Sequence, residues 1–534
     1  MHIIGWVLRM SLKRVLVVTG ELAKPMVEEY VKKSRIETKI LALPIQVAAF
    51  ITPKFAAKKI METVSPKEFD LVLLPGLVSG DVSEVSKIVG IPVFKGPKHA
   101  ADLPVVLDNL EKIALSTKKP ACELIQDLLK KKAFEELNEI RKKAEFLEKK
   151  GVGLVIGSED RKVWTYHGFT PLIVAEIVDA PTLSEEEIQN LAKYYVDSGA
   201  DIVDVGMMAG GGNPKDAEKV VKTILKKIQK PVSIDTNDVE EMEAAVKAGV
   251  NLILSINGQN MEEAAKNPLI IQTPVVVTPA DSEGKIPKDW LKRVAQLEKN
   301  LLNAKKLGFR KIIADPILEI QSFLESLLGY VEFRKRNPEI PVLFGVGNIT
   351  ELVDVDTVGI NFLLALLAWE INANLLFTTE ASSKTKGTVK ELATALKMVA
   401  LAKKRGTPPK DLGINLLVLK EKRRKHIDFS EAEKSITIFN ALERKGYTHD
   451  PLGYFKIKVN HKTGEIYVFH YCPGEEKPDF AVRGLNPKEI YMKIVEENLV
   501  SRLDHAAYLG CELQKAKVAI QIGRSYVQDE EVFG

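Results

Sequence analysis

Cysteine is scarce in this chain of 534 residues: there are three, Cys122, Cys472 and Cys511, far apart and without CxxC spacing. That excludes a disulfide framework and a compact multi-cysteine zinc site, and leads to the expectation of a reducing cytoplasm. An excess of one charge is also lacking. Lys and Arg number 76 against 72 Asp and Glu, a formal balance of +4. No broad cationic field therefore exists for a nucleic-acid backbone. No apolar run approaches the roughly 20 residues of a membrane helix. No GxGxxG follows the first strand, so a dinucleotide is not indicated. Residues 151–405 hold no HxH or HxxxH pair to suggest zinc there.

What is present is a globular composition, 45% hydrophobic and 28% charged, over a length that predicts about three domains. The apolar stretch Ile3-Ile4-Gly5-Trp6-Val7-Leu8 is too short for a signal h-region followed by a cleavage site. It is expected to be a loose extension, with Met1 or Met10 as the start. In residues 1–120, short, mainly apolar runs at 15–19, 39–43, 71–74 and 92–94 alternate with helical stretches. That pattern predicts a small doubly wound α/β domain with a parallel sheet covered on both faces. Gly76, Gly80, Gly96, His99 and Asp102 fall near its strand ends and read as loop punctuation. Residues 121–150 form an amphipathic connector helix, with Leu128, Leu129, Phe134, Leu137, Ile140, Ala144 and Leu147 on one face.

Residues 151–405 are the most regular part. A strand counted from Leu172 is followed by strands at 201–205, 232–235, 252–256, 275–278, 311–315, 342–345 and 375–378, nearly all followed by helical stretches. Eight βα repeats over this length predict a (β/α)8 TIM barrel with its chemistry at the C-terminal strand ends. Residues 406–534 change character. A hairpin at 454–459 and 465–471 with turn residues 460–464, then a helical stretch from about Asn486, predict an α+β C-terminal domain. His470-Tyr471-Cys472 ends the second hairpin strand and His505 lies on the helix; both histidines read as structural.

The barrel strand ends carry Glu176 and Asp179, Asp204, Asp235, Ser255 and Asn257, Thr278 and Asp281, Asp315 and Glu319, Asn348, and the polar run 378–386. Asn237 with Glu240 is expected to cap the third barrel helix, and Thr388 with Glu391 the last. Asp235 and the segment 380–387 are then free for other work. A carboxylate closing an apolar strand, as in Val232-Ser233-Ile234-Asp235, is costly unless it meets a partner. Acceptor-only carboxylates on opposite sides of a barrel, with Asn amides, suit a flat heterocycle presenting adjacent N–H donors, such as a 2-amino-4-oxo pyrimidine edge. The same set could instead hold Mg²⁺ through Glu176, Asp204, Asp235 and Asp315.

Three segments in order, Gly199-Ala200-Asp201-Ile202-Val203-Asp204-Val205-Gly206, Val232-Ser233-Ile234-Asp235-Thr236 and Ile313-Ala314-Asp315-Pro316, resemble the pterin-binding barrels. That superfamily includes dihydropteroate synthase and the methyltetrahydrofolate-dependent corrinoid methyltransferases. The resemblance covers about residues 170–405, and the three-part chain is similar to archaeal dihydropteroate synthase-related proteins. It implies that Asp235 and Asp315 hold the pterin edge with Asp204 beneath, and that Ser255, Asn257 and Asn348 complete the pterin site. Ser382, Ser383, Lys384 and Lys386 would take a phosphate or second substrate, and Glu176 a metal. No residue is assigned as the catalytic group.

Two reactions follow from the resemblance. The first is condensation of a pterin methyl diphosphate with an arylamine, assisted by Mg²⁺, in folate or tetrahydromethanopterin synthesis. The second is methyl transfer from a methyl-tetrahydropterin to a corrinoid or thiol partner. Departures from the synthase pattern separate them. The second strand runs into Met207-Met208-Ala209-Gly210-Gly211-Gly212-Asn213-Pro214 rather than Glu-Ser-Thr-Arg-Pro, and Gly347-Asn348-Ile349 replaces Ser-Arg-Lys. Ala175-Glu176-Ile177, Ser255-Ile256-Asn257 and Val346-Gly347-Asn348-Ile349-Thr350 are closer to the methyltransferases. The N-terminal sheet lacks Asp-x-His-x-x-Gly, so a corrinoid would come from a partner. A pterin scaffold without turnover is the third reading. Expected partners are a small pterin, no nucleic acid and no membrane, compatible with a homodimer.

Overall fold

The computed structural model describes residues 14–422, 436–437, 439–441, 446 and 448–533. The apolar stretch at 3–8 and the choice between Met1 and Met10 lie outside them. Contacts divide the chain into two units, Met1–Ala381 with Gly387–Val418, and Ser382–Lys386 with Leu419–Gly534.

The first unit opens with a parallel sheet of β1 (Arg14–Gly20), β2 (Glu37–Leu43), β3 (Leu71–Leu74) and β4 (Val93–Lys95), in the order β2-β1-β3-β4. Val15 and Val17 pack on one face and Leu16 and Val18 on the other, as strand alternation requires. β4 begins after Pro92, which has no N–H for the ladder. The connector comprises a short helix, Ala121–Leu124, and a long one, Gln126–Lys149. It is more than a spacer. Cys122, Ile125 and Leu129 complete the N-terminal core, and Ala133 packs with Met398, Leu401 and Leu412. Buried side chains before and after residue 120 thus share one core.

An unforeseen hairpin, β5 (Leu154–Ser158) and β6 (Arg161–Thr165), precedes the barrel. Its Ile156 is fully buried in the cluster that fills the barrel interior. The barrel strands are β7 (Leu172–Ile177), β8 (Ile202–Gly206), β9 (Val232–Asp235), β10 (Leu252–Ile256), β11 (Val275–Val277), β12 (Ile312–Ala314), β13 (Leu343–Gly345) and β14 (Leu375–Thr379). All pair in parallel in the order β12-β11-β10-β9-β8-β7-β14-β13, and a parallel bridge from Ala314 to Val342 closes the ring. The eight-stranded TIM barrel expected from the repeats is therefore present, with a helical layer packed around it.

The second unit holds an antiparallel sheet of β15 (Tyr454–Asn460), β16 (Glu465–Tyr471) and β17 (Phe480–Gly484). Phe455, Ile457, Ile466 and Val468 pack against Ile490, Ile494, Leu509 and Leu513. The single helical stretch expected from Asn486 is two helices, Pro487–Glu496 and Leu503–Ile522. Asn498, in the left-handed region at φ 53°, lies in the break between them. Among the described residues, no helix is long and apolar enough to cross a membrane.

Candidate functional site

Side-chain alternation builds the site. Along β7, Leu172 and Val174 fill the barrel interior, so Glu176, two residues on, faces the same way at the strand's end. Ile202 leads to Asp204 on β8, Ile313 to Asp315 after β12, and Phe377 to Thr379 on β14. On β9, Ser233 donates its hydroxyl to Asp204 at 2.5 Å, and Asp235 follows it on the same face. Parallel pairing sets Glu176 beside Asp204, and Gly206 beside Asp235. Gly206 leaves room for the Glu176 carboxyl: a Cβ there would lie 2.3 Å from Glu176 Oε1 and would displace it. An apolar plug thus gives way to four carboxylates at the C-terminal mouth.

Their proton affinities diverge. Burial raises Glu176 to about 8, reinforced by Asp235, Asp179 and Glu351. Its carboxyl finds no hydrogen-bond donor among the described residues. Asp204 is fully buried with Oδ2 unpartnered, and burial with the charges of Asp235 and Glu176 lifts it well above the ordinary range. Asp235 rises to about 6 through burial and the facing Asp315. Asp315 also reaches about 6 by burial, restrained by the Ile317 N–H at 2.8 Å, the Tyr330 hydroxyl at 3.0 Å and the charge of Arg293.

The surrounding loops are tied to one another. The Asp238 carboxylate accepts from Glu241 N–H at 3.0 Å and Gly212 N–H at 2.9 Å. Asp238, not Asn237, caps the helix Val239–Ala248. Asn237 instead accepts from Asn257 Nδ2 at 3.0 Å. The expected Thr388–Glu391 box is absent as well. Gly387 occupies the N-cap, Glu380 accepts from Val389 N–H at 3.0 Å, and Glu391 accepts from Thr357 and Asn361. Glu380 is consequently not free for a ligand.

The remaining expected residues separate. Ser255 lies on β10, where pairing with β11 shifts register between Leu254 and Ile256. Asn257 is buried, and its amide is occupied by Asn237 and by Gln259 N–H; it braces the mouth. Asn348 is exposed beyond β13 and donates to the Leu318 carbonyl at 3.0 Å. Ser382, Ser383, Lys384 and Lys386 group with the second unit, where Ser383–Thr385 form a 3-10 turn.

Tyr330 and Arg293 were not singled out by their sequence. Tyr330 is fully buried against Phe344 and reaches Asp315; its helical spacing with Ser326 and Phe333 looks like ordinary core. Arg293 is 3% exposed, pairs with Glu319 at 2.6 Å, and donates to the carbonyls of Pro287, Lys288 and Ile317. A charged residue four before Leu297 on an apolar helix face was the available signal.

Residues 178–361 match the family described as pterin binding enzyme. An uncharacterized protein of Methanocaldococcus jannaschii is 38% identical over 98% of this chain and 99% of its own length. The chain belongs to the pterin-binding enzyme superfamily. Flanking this pterin-binding barrel, residues 13–98 match a family of unknown function, DUF6513, and residues 449–529 match the family PterinBD-DUF4346. A Ycf91-like protein of Nostoc is 34% identical over 18% of this chain and 96% of its own length. Solved structures similar to the barrel include dihydropteroate synthases. That of Yersinia pestis with a pterine-sulfa conjugate is 16% identical over 47% of this chain and 100% of that one, at TM-score 0.38. That of Thermus thermophilus is 23% identical over 46% and 97%, at TM-score 0.36. That of Coxiella burnetii with pteroic acid is 21% identical over 47% and 98%, at TM-score 0.38.

Proposed function

We propose that the barrel mouth transfers a methyl group from a reduced methylpterin, with Asp235 and Asp315 as pterin acceptors and Glu176 as the acid. The supporting observation is geometric. Asp315 accepts from the Ile317 N–H and the Tyr330 hydroxyl, whereas the Glu176 carboxyl meets no donor among the described residues. Proton affinity follows that contrast. At pH 7 groups near 6 are mostly ionised, whereas Glu176 near 8 mostly keeps its proton. Ionised carboxylates accept the adjacent N–H groups of a 2-amino-4-oxo edge. A carboxylic acid can hand a proton to the ring nitrogen that loses the methyl group. In that step the proton leaves Glu176 for nitrogen and the nitrogen–methyl bond breaks. The methyl group joins a nucleophilic thiol or corrinoid delivered by a partner.

Condensation of a pterin methyl diphosphate with an arylamine is the second reading, compatible with the match of residues 178–361 to the pterin binding enzyme family. There the arylamine nitrogen bonds the methylene carbon, diphosphate leaves and a proton is released. That reaction gains from Mg²⁺ beside the departing charge. Among the described residues, however, the barrel carboxylates do not form a group of three donors within 4.8 Å of one another. Mg²⁺ would therefore rest on one or two of these carboxylates together with the substrate's own diphosphate oxygens.

The test offers the full-length protein a methyl-tetrahydropterin with cob(I)alamin or a thiol, and separately a pterin methyl diphosphate with aminobenzoate. Methyl loss that slows at least tenfold in Glu176→Gln, with pterin affinity retained, is expected. Diphosphate release with no methyl loss would establish the second reading. Pterin binding without turnover in either arm would leave a scaffold.

A further inference from the structure

His470 and Cys472 flank Tyr471, so alternation turns both to one face at the end of β16. The chain then reverses, and the Asp479 N–H bonds the His470 carbonyl at 3.1 Å, fixing Asp479 beside them. His470 Nδ1 lies 2.7 Å from Asp479 Oδ1, and Cys472 Sγ 3.4 Å from Asp479 Oδ2. The three donor atoms all fall within 4.8 Å of one another, the one such group among the described residues.

We propose that this hairpin binds one divalent transition-metal ion of borderline softness, Zn²⁺ or a congener, through His470 Nδ1, Cys472 Sγ and an Asp479 oxygen. The donor set selects the class: imidazole with thiolate excludes Mg²⁺ and Ca²⁺, which take oxygen ligands, and suits zinc. The imidazole is fixed in place. It is 3% exposed, lies 5.0 Å from the Phe455 ring, and has no hydrogen-bond partner at Nε2. Its polar contacts are therefore confined to the Nδ1 side, where Asp479 and Cys472 stand. Residue 453 is a glycine at φ +136°, and a Cβ there would lie 2.8 Å from His470 Nε2 and 2.1 Å from the Tyr471 carbonyl. The backbone is thus shaped to admit the ring. Asp479, with 42% of its side chain exposed, has room to swing outward as the ion enters. Three protein ligands leave the fourth position to water or an incoming ligand. Coordination needs the thiolate, so binding transfers the Cys472 proton to solvent.

Stripped full-length protein titrated with Co²⁺ should develop thiolate-to-cobalt absorption that saturates at one equivalent and is bleached by Zn²⁺. Cys472→Ser should abolish the band, and Asp479→Asn should weaken cobalt affinity at least tenfold. Both side chains are partly exposed, so circular dichroism should show the fold retained. Absence of the band, or its persistence in Cys472→Ser, would overturn the site. Cobalt held only by barrel carboxylates gives no thiolate band, and cobalt on Cys122 or Cys511 would survive the Cys472 substitution.

Discussion

Asp204 shows how the ring works at the residue scale: it is wholly buried, yet satisfied at one oxygen only. A buried carboxyl in that position keeps its proton, and Glu176 is raised by its own burial first and then by Asp235, Asp179 and Glu351. Asp235 and Asp315 stay ionised enough to receive a ligand. Replacing either with Asn should weaken pterin binding about ten- to a hundredfold, from the ~1.5–3 kcal/mol of a charge-assisted hydrogen bond. Calorimetry with an oxidised pterin measures this, and unchanged affinity in both variants would remove the pair from the site. The pH dependence has a definite sign. A carboxyl whose folded pKa is raised gives stability that is complete below its unfolded value and is lost as pH rises through the folded one. For Glu176 that window runs from 4.5 to about 8. Melting temperature of the ligand-free protein should fall across it, and Glu176→Gln should flatten the slope. These four acids were legible in the sequence because each stands on or just after a barrel strand, two residues beyond an apolar or paired interior position. Tyr330 was not, since a buried aromatic that aims a hydroxyl has the same helical spacing as one that only fills space.

Among the elements, the loop Met207–Asn213 and the helix Val239–Ala248 act together through Asp238. Asp238→Ala removes the cap and the bond to Gly212, costing about 1 kcal/mol and loosening the loop. A lower melting temperature with a raised KM for the pterin substrate and little change in kcat is expected. Gly211→Ala should act on the same contact, because Gly211 has φ +67° and a Cβ there would lie 2.6 Å from Asp238 Oδ2. If its KM matches that of the unmodified protein, the loop does not shape the site. The cap was ambiguous from local spacing: Asn237 precedes Glu240 by the same interval as Asp238 precedes Glu241. Asn257 breaks the tie by claiming Asn237, and its strand lies about twenty residues away in sequence. Thr388 likewise fits a box by spacing, but Glu391 is engaged by Thr357 and Asn361 on another helix.

For the whole molecule, the hairpin before β7 closes the barrel end opposite the carboxylates with Ile156. Ile156→Ala should cost about 2–5 kcal/mol as a core truncation while leaving pterin affinity within twofold; thermal unfolding and calorimetry check both halves. The hairpin is short and its partners are distant, so its local pattern did not reveal its role. By itself the sequence determined the eight-fold βα alternation, the parallel sheets and the acids at the barrel's C-terminal end. Those follow from periods of two and 3.6 residues, which are local. Only the tertiary structure decided which acids hold protons, which asparagines are already spent on loops, and which side chains gather beside His470. Those outcomes depend on burial and on charges and donors brought together from remote parts of the chain, and no local spacing encodes them.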